Sequence, residues 1–385
     1  MKQTPRWHNF LSGLVKTPSM SSVRPEFDVG NHEVSTMLAN ELDQLGFAVS
    51  VQSVPGPTPR SNVIATIGHG SGGLVLSGHT DTVPFDETRW STDPFRATER
   101  DGQIFGLGTC DMKGFFVSVV EALRQIDLKK LNKPVIVVGT ADEESGMAGA
   151  KQLLTEEGTL QADYVVIGEP TNNKPVRIHK GIFMESIRFV GRSGHSSNPK
   201  NGLSALEGMH RLIELLIAHR EKLKQKKDSS FAVPHPTINF SSIFGGDNPN
   251  RICAECELQL DARVIPGLSV AELRQDIRDL ATSVAQQRGL EVEFQKLFDG
   301  IEAMHTPANS AIVRCCERLT GHPASSVDFA TDGPLFRALG METVIMGPGD
   351  IDLAHQPNEY VSIDQLMKCR HNVQHLVHEF CINPT

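Results

Sequence analysis

The sequence has no long apolar run. Its opening stretch "MKQTPRWHNFLSGLV" lacks the apolar core of a leader peptide, and no later segment approaches the roughly 20 residues that a membrane span needs. Excess positive charge is also missing. Lys and Arg total 37 against 46 Asp and Glu, a formal net charge of −9, which argues against nucleic acid or an anionic membrane as a partner. The one dense basic run, "HREKLKQKK" at 219–227, closes a helical pattern, where the macrodipole favours cations. Cysteine supplies no framework either. The count of 7 is odd and scattered, which fits a reducing cytoplasm. "CAEC" sets Cys253 and Cys256 at metal spacing, but "RICAECELQLDAR" alternates as a strand. The two thiols then face opposite ways and cannot share an ion. No internal repeat and no low-complexity segment stands out.

What is present describes an ordinary globular chain of 385 residues, 39% hydrophobic and 22% charged, long enough for two domains or for one with an insertion. Its first part alternates helical spacing ("STMLANELDQLGF", "DMKGFFVSVVEALRQI") with short apolar strands ("NVIATIG", "GLVLSGH", "PVIVVGT", "ADYVVIGE"). That alternation predicts an α/β sheet covered by helices on both faces. The middle changes character, with the strand "IFMESIRFV", the helix "GLSALEGMHRLIELLIAHRE", the alternating strand around Cys256, a second helix and "EVEFQKLF". We therefore expect residues 1–181 and 298–385 to build one helix-flanked mixed-sheet catalytic domain, with a smaller α+β domain inserted over 182–297.

The informative stretch is "VIVVGTADEESG", in which a buried strand ends in three consecutive acids, Asp142, Glu143 and Glu144. Crowded carboxylates raise one another's pKa unless something positive lies among them. Other strands end in the same manner: "LVLSGHTDTVP" delivers His79 and Asp81, and "YVVIGEPT" delivers Glu169. Asp111 opens a helix after the glycines of "GLGTCDMKG", and "VIMGPGDIDLAHQPNE" supplies His355. Open α/β sheets bind ligands at the carboxyl ends of their strands, so these clusters are expected to meet.

Charge counting then points to two divalent ions. The carboxylates of Asp111, Glu144 and Glu169 plus a bridging hydroxide carry four negative charges, which two M²⁺ ions cancel. Imidazole and carboxylate without thiolate suit zinc or cobalt in an open catalytic site. Ions about 3.5–4 Å apart polarise a carbonyl and generate hydroxide near neutral pH. Glu143 is left over for proton transfer as general base, and Asp142 as scaffold. Asp81, two residues from His79, is expected to accept the imidazole N–H and fix the tautomer a metal needs.

The motifs "SGHTDTVP", "GTCDMKG", "ADEESG", "GEPT" and "AHQPNEY" resemble those of the di-zinc aminoacylase, carboxypeptidase and desuccinylase family over nearly the whole chain. The resemblance implies His79 and Glu169 on one ion, Glu144 and His355 on the other, Asp111 bridging them, and Glu143 as base. It implies a homodimer acting on a small N-acyl amino acid. In "GRSGH", His195 would reach the partner subunit's site and stabilise an oxyanion, while Asn250 and Arg263 would grip the substrate carboxylate. The segment "VDFATDGPLF", with Asp332 and Gly333, departs from the family pattern and leaves the acyl group open.

Overall fold

Apolar runs without polar interruption belong to strands covered on both faces. Leu74–His79 and Val135–Thr140 are buried along their whole length. The computed structural model describes residues 5–155 and 160–384; the first four residues of the stretch read for a leader lie outside these. Among the described residues no helix is long and apolar enough to cross a membrane.

The chain divides into two units, Met1–Arg177 with Thr306–Ser325 and Asp332–Thr385, and Ile178–His305 with Ser326–Thr331. The second unit thus runs past the 182–297 read from the sequence. Its last long strand continues to Ile301, beyond the apolar stretch that marked it, and Met304–His305 add a further short pairing with Ile178 and His179.

In the first unit a mixed sheet runs, in order of neighbours, through Ala48–Val54, Arg60–Ile67, Val135–Thr140, Leu74–His79, Tyr164–Pro170 and Glu342–Gly347. Leu74–His79 pairs in parallel with both its neighbours, and Glu342–Gly347 pairs in parallel with Tyr164–Pro170. The two outer strands, Ala48–Val54 and Arg60–Ile67, are antiparallel. The edge strand Ala48–Val54 is largely exposed, as its mixed sequence requires. Helices flank the sheet. Lys113–Arg124 is apolar nearly all round and correspondingly buried, and its Phe115 ring leaves no room for a side chain at Gly168, where an added Cβ would lie 2.0 Å from the ring. Register matters most at the strand ends: His79 is paired with Thr140, so the polar residues just past these two parallel strands emerge at one edge.

The second unit is an antiparallel sheet of four strands, ordered Thr237–Gly245, Glu255–Val264, Gly181–Val190, Glu291–Ile301. Glu255–Val264 alternates strictly, sending Cys256, Leu258, Leu260 and Ala262 into the core. Cys253 lies before this strand and is half-buried. The helices Ala205–Leu223 and Val270–Arg288 pack on that core. Each has its serine cap, Ser204 and Ser269, and the latter forms a reciprocal capping box with Glu272.

Candidate metal centre

All the site residues expected from the strand ends lie in the first unit. His79 ends its strand buried, with Nε2 2.9 Å from Asp111 Oδ1 and 3.9 Å from Glu169 Oε1. On the far side of Asp111, His355 Nε2 lies 3.4 Å from Asp111 Oδ2 and 3.1 Å from Glu144 Oε2. Two donor groups result, His79–Asp111–Glu169 and Asp111–Glu144–His355, each with its ligand atoms within 4.8 Å of one another. Asp111 belongs to both.

Local backbone explains the convergence. Gly108, with φ +77, turns the chain sharply before Asp111, and an added Cβ there would lie 2.8 Å from Thr82. Asp142 sits at φ 63, which swings the chain out of the strand Val135–Thr140 and directs Glu143 and Glu144 towards the site. His355 also takes a positive φ, 60, and its side chain remains half-exposed. It faces the open side, whereas Asp111, Glu144 and Glu169 are buried to the level of 7–8% side-chain exposure.

The electrostatics are those of acids crowded together in a buried site. Burial, reinforced by the charge of Asp111, raises the pKa values of Glu144 and Glu169, the latter well above its ordinary range. Burial likewise pushes Glu143 well up; His79 opposes this, and Glu169, Asp332 and Glu144 add to it. Asp111 goes the other way, because hydrogen bonds from His355 and His79 overcome its desolvation. His355 is raised to about 11 by its hydrogen bonds to Asp111 and Glu144. Burial opposes the charged form of His79, yet its acidic neighbours, Asp111 first, raise it well above 6.5. Divalent cations would relieve the same repulsion. Two imidazoles and three carboxylates, one shared, fit a pair of hard or borderline divalent ions.

One expectation is corrected. His79 Nδ1 is 3.0 Å from the main-chain oxygen of Asp81 and 3.7 Å from its carboxylate. The carbonyl is the nearer acceptor, because the carboxylate is engaged elsewhere, accepting the N–H groups of Glu143 at 3.3 Å and Glu144 at 3.2 Å. Asp142 is a scaffold in detail: its carbonyl accepts from Gly146 and Met147, and its Oδ1 lies 2.7 Å from Arg60 Nη1.

His195, Asn250 and Arg263 lie in the second unit. His195 is exposed, with Nδ1 2.7 Å from Ser197 Oγ. Asn250 is exposed, and its carbonyl accepts from Ser196. The fork of Arg263 is taken by Asp261, at 2.9 and 3.2 Å.

Sequence reading named Asp332 without its burial and missed two further buried charges, Glu359 and Lys113. Asp332 Oδ2 accepts from Thr140 Oγ1 at 2.9 Å, and burial, moderated by that bond, puts its pKa at about 6. Glu359 receives main-chain N–H groups of the Asp111 loop, and burial lifts it to about 7. Lys113 donates to the carbonyls of Leu14 and Thr17, and burial lowers it to about 7 against the pull of Glu359 and Asp81. Only their place within or beside the quoted motifs could have flagged them.

A pair of carboxylate–imidazole donor groups sharing one aspartate, at the carboxyl edge of a mixed sheet, fits a metal-dependent hydrolase. The chain belongs to Peptidase family M20/M25/M40, whose model matches residues 75–379, and it is accordingly a metal-dependent hydrolase of amide bonds. It is 41% identical over 382 residues to an acetylornithine deacetylase of Pasteurella multocida (strain Pm70), covering 99% of this chain and all of that one. It is 42% identical over 380 residues to that of Edwardsiella ictaluri (strain 93-146), covering 98% and 99%. Its fold is similar to that of an M20 family metallo-carboxypeptidase, Sso-CP2 of Sulfolobus solfataricus, with TM-score 0.76 at 20% identity over 97% of this chain and 99% of that one.

Proposed function

We propose that this protein removes the acetyl group from N2-acetyl-L-ornithine, giving L-ornithine and acetate for arginine biosynthesis in the cytoplasm. The observation that carries the reading is the pair of donor groups sharing Asp111, and the likeness to acetylornithine deacetylases along nearly the entire chain supports the choice of substrate. His79 and Glu169 would hold one ion, Glu144 and His355 the other, with Asp111 between them. Zinc suits this donor set, and cobalt could replace it. Two such ions supply carbonyl polarisation and a water acidified towards neutral pH.

The residues do the rest. Glu143, partly buried and with its pKa raised, takes a proton from water as the water oxygen bonds to the acyl carbon, and returns it to the amide nitrogen as the C–N bond breaks. Acetate leaves with the acyl carbon, and the amino acid leaves with its amine. Asp81 holds the main chain of Glu143 and Glu144, so that base and ligand keep their places as the proton moves. His195 would steady the oxyanion in a homodimer, and Asn250 and Arg263 would take the substrate carboxylate, with Arg263 exchanging Asp261 for it.

The test is a substrate panel on metal-reconstituted protein: N2-acetyl-L-ornithine, N-succinyl-diaminopimelate, acetylcitrulline and simple dipeptides. Acetylornithine should give the highest kcat/KM, and a chelator should abolish turnover. Faster hydrolysis of the succinylated substrate would make the chain a desuccinylase instead, and preference for dipeptides a dipeptidase.

A further inference from the structure

The shared aspartate is held from behind by a second carboxylate that touches neither imidazole. Glu359 is 2% exposed. Its Oε1 accepts the N–H of Cys110 at 2.8 Å and of Asp111 at 3.0 Å, and its Oε2 accepts the N–H of Gly108 at 3.0 Å. Its own carbonyl accepts from Gly106 at 3.1 Å. The adjoining strand Tyr360–Ser362 pairs with Gln103–Phe105, which fixes both ends of this contact. The loop therefore closes as a cup of peptide N–H groups around one carboxyl group.

We propose that Glu359 is a positioning residue for Asp111, setting the direction of its side chain so that one carboxylate oxygen faces each imidazole. The inference rests on the reading of Asp111 as the ligand common to two ions. Asp111 turns Oδ1 towards His79 and Oδ2 towards His355, and such a split presentation tolerates little rotation about its backbone. Holding Asp111 and the preceding Cys110 each by its own N–H limits that rotation.

Electrostatics argues against a direct influence on the charge of Asp111. A buried anion beside Asp111 is repelled by it, so Glu359 is not there to favour the charge of its neighbour. Nor is a neutral acceptor equivalent. A glutamine would offer one oxygen and one NH₂, and the NH₂ would meet a peptide N–H, leaving a buried donor without an acceptor.

The experiment uses the full chain, stripped of metal and titrated with CoCl₂ by calorimetry, in wild type, E359Q and E359D. E359D keeps the charge but is one methylene shorter, so it cannot reach all three N–H groups. Melting temperature without metal controls for folding. Supporting ligand orientation from outside the ligand set is typically worth about 10–100-fold in metal affinity or activity. The expected result is a loss of that size in affinity for both cobalt ions in E359Q, a smaller loss in E359D, and a fall in kcat greater than any rise in KM. If E359Q does not fold, E359D decides by the same readout. Cobalt affinity equal to wild type overturns the inference, and so does a lowered melting temperature with affinity intact, which would make Glu359 a loop anchor only. A wild-type chain that binds no cobalt overturns the reading of the site, and this inference with it.

Discussion

The carboxylate of Asp81 reaches from the end of one strand to the loop after its neighbour, accepting the N–H of Glu143 at 3.3 Å and of Glu144 at 3.2 Å. One side chain thus ties the histidine-bearing segment to the loop holding Glu143 and Glu144. Because its carbonyl also takes the N–H side of His79, moving Asp81 disturbs both. Asp81→Asn keeps one acceptor oxygen and loses the other. We expect kcat to fall about 10–100-fold with metal affinity reduced in step, measured by steady-state kinetics beside metal titration. Unchanged values of both would remove Asp81 from the machinery.

Glu143 differs from Glu144 in belonging to neither donor group, although it is adjacent to it and electrostatically in touch with Glu169 and Glu144. A proton carrier should be separable from the ligands. Glu143→Gln is expected to lower kcat by about 10²–10⁴-fold while the protein still binds its metal, since general acid–base groups contribute on that scale. Loss of metal binding in this variant would make Glu143 a ligand.

The loop after the strand Val135–Thr140 has a second anchor. Arg60 Nη2 donates to both oxygens of Asp28, at 2.9 and 3.0 Å, and Nη1 lies 2.7 Å from Asp142. Arg60 is 8% exposed, so removing it strands two buried carboxylates. Arg60→Met should cost on the order of 3–5 kcal/mol in unfolding free energy, measured by urea denaturation, with Arg60→Lys losing less. A change within experimental scatter would show the pair to be dispensable.

The strand-and-helix alternation of the first unit and the meeting of its polar strand ends were legible, because buried parallel strands are unbroken apolar runs and their register puts the residues beyond them at one edge. His79, Asp111, Glu144, Glu169 and His355 could be gathered for that reason. Roles set by main-chain geometry were not legible. Nothing in "GHTD" says that the imidazole of His79 turns to a carbonyl and leaves the carboxylate of Asp81 for two peptide N–H groups. Glu359 is likewise one acid in a motif until the loop folds around it. The inserted unit extends beyond the stretch read for it because the strand Glu291–Ile301 continues through Asp299 and Gly300.

Metal binding and pH should be linked through these same groups. Without cations the folded site holds protons that the unfolded chain would release, since Glu143, Glu144, Glu169 and His79 are all raised. A raised folded pKa means stability present at low pH and lost as pH rises, because the unfolded state then binds fewer protons. Divalent ions displace those protons and relieve the repulsion, so their advantage should increase with pH. His179, lowered to about 4 by burial, contributes the opposite slope, but in the second unit and equally with or without metal, so it cancels in the difference. The gap in melting temperature between zinc-loaded and chelator-treated protein should therefore widen from about pH 5 to about pH 7. Scanning calorimetry across that range checks it. A gap that narrows as pH rises would mean that these acids and imidazoles do not give up protons to a metal.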